Sequence, residues 1–275
     1  NGPEVKTNTT ENPVQTGGLT ISKTIELTPD QGTVIDKDQE FQFTLKVLDT
    51  AGKPIAGTYS GLDFSDEGTA SFSLKHGESM TIEGLPAGAT YTVTETPVDH
   101  YTQTTPADGA PATGTIPADG AAEAAFVNTY KADDSDPTTL ELTKVFEGHE
   151  WTEGYSFTFV LAGENGAPMP ENNTVTVSGP QPTGEAPIAF GPITYKSVGT
   201  YTYTVTETAG ENPGIGYDTH TAKVTVEVSD VDGKLTPSVT YEKDAFTNTY
   251  DTGTVTVDTS VGLQVVKNMT GRGIM

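Results

Sequence analysis

The sequence contains no cysteine, which excludes a disulfide framework, a thiolate metal site and a cysteine nucleophile. Basic residues are scarce, with 14 Lys and Arg against 38 Asp and Glu and a formal charge of −24. A surface of that sign repels phosphate backbones and anionic lipid, so neither a nucleic-acid partner nor membrane contact is expected. It suits a well-solvated exterior that resists aggregation. No apolar run approaches the length of a membrane span, and the opening residues NGPEVKTNTTENPVQTGG lack the charged and apolar regions of a signal peptide. A soluble, mature fragment is expected. Sustained 3.6-residue periodicity is also missing, which leaves no amphipathic helix to propose.

What is present is punctuation and alternation. Thirty Gly and 18 Pro, with abundant Thr and Val, predict many short strands and an all-β fold, and 275 residues suffice for two domains with cores of their own. In EFQFTLKVL, Phe41, Phe43, Leu45 and Val47 share a face; in YSFTFVL, Tyr155, Phe157, Phe159 and Leu161 do. The polar stretch KADDSDPTT separates two similar patterns. The expected organisation is a flexible segment at 1–17, a β-sandwich at 18–131, a linker at 132–139 and a second β-sandwich at 140–250. Residues 251–275 are read as a linker and the first strand of a truncated third module, because Leu263, Val265, Lys267 and Met269 alternate as Leu140, Leu142, Lys144 and Phe146 do.

The hexapeptide YTVTET occurs at 91–96 and at 203–208, and in both copies the face carrying Tyr and Val also carries a glutamate, Glu95 or Glu207. Lys23 and Lys144 fall on the apolar faces of the opening strands, and Asn128 and Asn248 on those of the closing strands FVNTY and FTNTY. Asn128 lies 105 residues beyond Lys23, and Asn248 lies 104 beyond Lys144. An isolated ammonium, carboxylate or amide is costly to bury, so the three are expected to converge in each core. Desolvation there favours a neutral amine beside a protonated acid. The amine can attack the Asn carboxamide carbon while the glutamate donates to the carboxamide oxygen and relays protons, and ammonia leaves. The product is an isopeptide bond between first and last strands, with Glu95 and Glu207 catalytic and Lys23, Asn128, Lys144 and Asn248 joined. Lys267 is the corresponding lysine of the third module. Each glutamate acts once, so no turnover enzyme is expected.

The opening strands LTISKT and LELTKVF, the YTVTE strands and the F-x-N-T-Y closing strands resemble the isopeptide-bonded domains of Gram-positive pilins and surface adhesins. The first module, with GTYSGLDF and SFSLKHGESMTIEGLPAGATYTVTET, resembles CnaB-type domains; the second, with SVGTYTYTVTETAGENPGIGYDTHTAKVTVEV, resembles FctA-type pilin domains. The resemblance implies tandem Ig-like sandwiches in an extracellular parent, anchored to the cell wall through parts outside this sequence. It also implies a stalk or pilus-shaft role, with neighbouring modules of the same protein or fibre as partners. The rival reading is an adhesin module that contacts a host protein or glycan, for which GPQPTGEAPIAFGP at 179–192 is the candidate loop, a plain connector otherwise.

Other signals are weaker. NPVQTG approximates a sortase signal but has one residue too many before TG, no leading Leu and no apolar tail. SDVDGKL has too few alternating aspartates for a calcium loop and reads as a hairpin turn. His76, His100, His149 and His220 lack ligand spacing, so no metal and no cofactor is expected. Asn8, Asn172 and Asn268 stand in N-x-[ST] patterns read as chance, and Trp151 reads as a packing residue.

Overall fold

The computed structural model describes residues 15–251 and 253. It is built almost wholly of strands, and the one helical element among the described residues is a 3-10 turn at Ala107–Gly109. None of the described helices is long and apolar enough to cross a membrane.

The first module contains β1 (Thr16–Leu27), β2 (Phe41–Leu48), β3 (Gly57–Tyr59), β4 (Leu62–Phe64), β5 (Thr69–Leu74), β6 (Ser79–Pro86), β7 (Thr90–Glu95), β8 (Tyr101–Thr105), β9 (Ala112–Thr115) and β10 (Ala121–Tyr130). Two four-stranded sheets, ordered β6-β1-β10-β8 and β5-β2-β7-β9, form its sandwich, and β3-β4 is a small hairpin beside it. The alternating face of β2 is buried from Phe41 through Phe43 and Leu45 to Val47. It meets Leu19, Ile21 and Ile25 of β1 and Phe126 of β10 in the core.

The second module contains β11 (Thr138–Glu147), β12 (Ser156–Gly163), β13 (Thr174–Ser178), β14 (Glu185–Ile193), β15 (Gly199–Thr208), β16 (Ile215–Gly216), β17 (Thr221–Val231), β18 (Lys234–Glu242) and β19 (Ala245–Tyr250). Its sheets run β14-β11-β19-β16 and β13-β12-β15-β17-β18. Phe157, Phe159 and Leu161 fill the core, whereas Tyr155 precedes β12 and is only half-buried, its ring 5.1 Å from that of Phe146. Tyr201 is likewise half-buried, and its hydroxyl donates to the carbonyl of Ser197. Trp151 is buried, donates its ring N–H to the carbonyl of Tyr155 and packs edge-on against Phe157.

In both modules the first and last strands are parallel neighbours. Lys23 lies opposite Phe126 and Ile25 opposite Asn128; Lys144 lies opposite Phe246 and Phe146 opposite Asn248. Lysine and asparagine are thus one diagonal step apart on the same face, in the same register twice. From the facing sheets, Glu95 lies opposite Phe43 and Glu207 opposite Phe159.

Residues 179–192, read as a candidate binding loop or a plain connector, are a loop only in part. Most of the stretch is β14, which pairs antiparallel with β11 and buries Ala186, Ile188 and Phe190. Pro187 and Gly191 hide that alternation, and Pro187 is tolerated because β14 is an edge strand. The segment read as a linker is hydrogen-bonded to both modules. Gln31, buried in the first, donates to the carbonyl of Ala132 and accepts from its N–H. Asp133 donates its N–H to the carbonyl of Gly233, in the Asp232–Gly233 turn between β17 and β18, and accepts the N–H of Leu235; Ser135 donates its N–H to the carbonyl of Tyr195 and accepts the Tyr195 N–H on its hydroxyl oxygen. Buried backbone groups need partners, and a linker lying in a joint obtains them from both sides. Asp232 and Gly233 both have positive φ, as a tight hairpin turn requires.

Candidate cross-linking sites

Strand alternation turns Lys23 of β1 and Asn128 of β10 into the first sandwich, and alternation in β7 turns Glu95 toward them from the opposite sheet. Lys23 and Asn128 are each 1% exposed, and the Glu95 side chain is 2% exposed. Lys23 Nζ donates to both carboxylate oxygens, at 2.8 and 3.0 Å, and lies 3.9 Å from the centre of the Phe41 ring. Asn128 Nδ2 donates to Glu95 Oε1, while Asn128 Oδ1 is buried without a hydrogen-bond partner.

The second sandwich repeats the arrangement. Lys144 Nζ donates to Glu207 Oε2 at 3.1 Å and to the Phe246 carbonyl at 3.2 Å, with the Phe157 ring 4.6 Å away. Both side chains of the pair are fully buried, although the backbone of Glu207 is partly accessible. Asn248 Nδ2 donates to Glu207 Oε1. The carboxamide oxygen accepts from the backbone N–H of Asp218 at 2.7 Å.

Burial lowers the affinity of both lysines for their protons; the hydrogen bond and charge of Glu95 oppose it at Lys23, and the charge and hydrogen bond of Glu207 at Lys144. Burial raises the pKa of Glu207, against the opposing influence of the Asn248 amide and the Lys144 ammonium. The amine is thereby moved toward its nucleophilic form and the acid toward its proton-donating form.

All six predicted residues of the two complete modules come together as two triads; Lys267 lies outside the described residues. One detail differs from expectation. The glutamates touch the carboxamide nitrogen, whereas donation to the oxygen was anticipated. In the second module the reason is that a backbone N–H can only donate, so the oxygen must face Asp218 and the nitrogen must face Glu207. Each carboxylate therefore sits between the attacking amine and the group that leaves.

Asp218 was missed by sequence reasoning. Its carboxylate accepts from the N–H of Thr247 at 2.8 Å, and from the N–H and Nδ1 of His220 at 3.0 and 2.7 Å. Partial burial would raise its pKa, but the backbone N–H groups of His220 and Thr247 and the His220 ring together hold it below the usual carboxylate value. Its signal was the Asp-Thr-His spacing, an Asx turn in which the carboxylate caps the N–H two residues on. The other histidines are separate: His76 accepts from the N–H of Ile25, and the His149 ring lies 4.9 Å from that of Tyr250. Among the described residues no three His, Asp or Glu are grouped to hold a metal.

Residues 140–251 match the family model described as the Spy0128-like isopeptide containing domain, FctA. The second module is an FctA-type domain. Residues 17–130 match a different model, described as a domain of unknown function (DUF7601), where the resemblance had been to CnaB-type domains. The pilus tip adhesin Cpa of Streptococcus pyogenes is 44% identical over 86 residues, which are 30% of this chain and 12% of that protein. A solved structure of the pilus-presented adhesin Spy0125 (Cpa) aligns with 42% of this chain and 27% of its own, at 29% identity and a TM-score of 0.36. The major pilin (T-13) of Streptococcus pyogenes aligns with 85% of this chain and 97% of its own, at 16% identity and a TM-score of 0.24. The chain thus spans about an eighth of the curated relative's length. Both the FctA-type module and the first module carry the Lys, Glu and Asn in one register, but the Asp218 contact occurs in the FctA-type module alone.

Proposed function

We propose that this chain is a structural segment of the stalk or pilus shaft of a Gram-positive surface protein, each complete module stapled by a self-formed Lys-Asn isopeptide bond. The observation that carries the reading is the duplicated triad, buried twice in the same register. The neutral Lys144 Nζ attacks Asn248 Cγ, the protonated Glu207 gives its proton to Nδ2 and takes one from Nζ, the Cγ–Nδ2 bond breaks and ammonia leaves. Lys23, Glu95 and Asn128 do the same in the first module. The bond discharges each buried lysine, which removes the cost of holding an ammonium in an apolar core. No substrate is turned over. The parent protein lies outside the cell, held to the wall by parts beyond this sequence, and its partners are neighbouring modules of the same fibre.

Intact-protein mass tests this directly. The native chain should weigh two ammonia molecules less than its sequence, and Glu95→Ala and Glu207→Ala should each restore one. A native mass equal to that of the unmodified sequence overturns the cross-link.

The pH dependence of bond formation is distinctive. Neutral amine plus protonated acid carries the same number of protons as the ion pair, so pH does not change the ratio of these two forms. For the second module, the rate on refolding a never-folded chain should be flat across a plateau. It should fall at low pH, where both groups hold protons, and at high pH, where the shared proton is lost. With Glu207 raised above 4.5 and Lys144 lowered below 10.5, the plateau is narrower than those values would set. A rate climbing steadily to pH 10.5 would mean that Glu207 supplies no proton.

An adhesin role has one observation in its favour, the name of the curated relative, and host-surface binding by the chain alone would support it.

A further inference from the structure

The two triads share their register and their lysine-glutamate contacts, but they treat the carboxamide oxygen differently. In the first module Asn128 Oδ1 has no hydrogen-bond partner although it is buried. In the second, Asn248 Oδ1 accepts the backbone N–H of Asp218 at 2.7 Å. Five contacts around that donor fix its position. The Asp218 carboxylate receives the N–H of Thr247, the residue before Asn248, and the N–H and ring nitrogen of His220. The His220 ring stacks on Phe246, two residues before Asn248, with 4.4 Å between centroids and 17° between planes, and its other nitrogen lies 3.0 Å from the Lys243 carbonyl. The 218–220 turn is therefore fastened to Phe246 and Thr247 of β19 and to Lys243 just before it, immediately ahead of the reacting asparagine.

We propose that the Asp218 N–H is the oxyanion donor of the second module, and that the Asp218 carboxylate and His220 are positioning groups that aim it. The inference rests on the cross-linking reading above. When Lys144 Nζ adds to Asn248 Cγ, the C=O π electrons move to Oδ1, and the negative charge develops where the N–H already points. As Glu207 delivers its proton to Nδ2 and takes one from Nζ in return, the C=O re-forms, the Cγ–Nδ2 bond breaks and ammonia departs. A donor fixed before reaction stabilises that charge without reorganising, and the N–H contact also dictates that Nδ2, the leaving group, faces the acid. The first module closes its bond without a protein donor at this oxygen.

Two measurements test this on the whole chain. In the first, the chain is assembled by ligation under denaturing conditions with the α-hydroxy analogue of aspartate at 218. An ester then replaces the amide, and the N–H is deleted while the carboxylate stays. On refolding, formation of the Lys144-Asn248 bond, followed by peptide mass, should slow by roughly 100-fold, while the Lys23-Asn128 bond forms at its native rate. An unchanged second-module rate overturns the donor role. If the native chain forms no Lys144-Asn248 bond at all, it is the cross-linking reading that has failed. The second measurement does not depend on the ester chain folding. In Glu207→Ala, which stays uncross-linked, the Asp218 amide should exchange slowly with solvent deuterium, and adding Asn248→Ala should speed it at least 10-fold. Equal exchange with and without Asn248 also overturns the assignment, because the N–H would then make no bond to that oxygen.

Discussion

Glu207→Ala should lower the melting temperature of the second module by 20 °C or more and leave the first almost unmoved. Two losses combine. Without its acid the isopeptide bond does not form, and a cross-link closing a loop of about 100 residues contributes up to about 4.7 kcal/mol on the chain-entropy model. The unreacted Lys144, fully buried, also loses its carboxylate partner, and breaking a buried pair from one side costs about 3–5 kcal/mol. The lysine limits that second cost by giving up its proton, but a total near 5 kcal/mol is already comparable to a typical domain's whole stability. At about 4 °C or more per kcal/mol for a domain near 100 residues, the shift is large. Calorimetry should show one transition in place and one displaced downward. Glu207→Gln, which keeps a polar group in place but carries no transferable proton, should also stay uncross-linked with a smaller displacement. The sign of the pH response identifies the cause. Burial holds Lys144 below 10.5 even with Glu207 present, and Glu207 opposes that lowering, so its removal deepens it. The unfolded chain then binds more protons than the folded one over that interval, and the variant should gain stability as pH rises toward 10.5. A variant that melts with the native chain at every pH would show that no bond had formed there to be lost.

Much of both sites was legible because the strand period is two: one polar residue on an apolar face fixes where its side chain points. Lys23, Glu95 and Asn128 were found that way, and the second copy removed chance as an explanation. What alternation cannot supply is sheet order. Nothing in LTISKTIEL announces that it lies parallel to a strand at 121–130, because the pairing is decided by packing across the whole sandwich. The strand at 185–193 was hidden by Pro187 and Gly191, which are turn residues by type and edge-strand residues by place. Gln31 and Ser135 sit in irregular segments with no period to expose them, and their burial became apparent only when the two modules met. The Asp218 donor is a backbone group, common to nearly every residue, and only the fold gives it a target.

Stretched from its ends, the native chain should not lengthen by unfolding either module. Because β1 and β10 are parallel neighbours, as are β11 and β19, the terminal strands of each module are loaded in shear along their shared ladder. With Lys23 joined to Asn128 and Lys144 to Asn248, tension crosses each module through one side-chain bond, and the enclosed residues bear none. Glu95→Ala removes the first bypass and should release the 104 residues enclosed between Lys23 and Asn128, a gain of about 350 Å at about 3.3–3.6 Å per extended residue. Glu207→Ala should release a step of similar size from the second module. In the double variant both steps should appear, and their order follows from the ladders. The β1-β10 register extends over ten residue pairs and the β11-β19 register over five. Hydrogen bonds in a sheared ladder resist together, so the second module should yield at the lower force. Single-molecule extension reads all three results, and a native chain that lengthens by a full module step would mean that force passes through the strands and not through a covalent bridge.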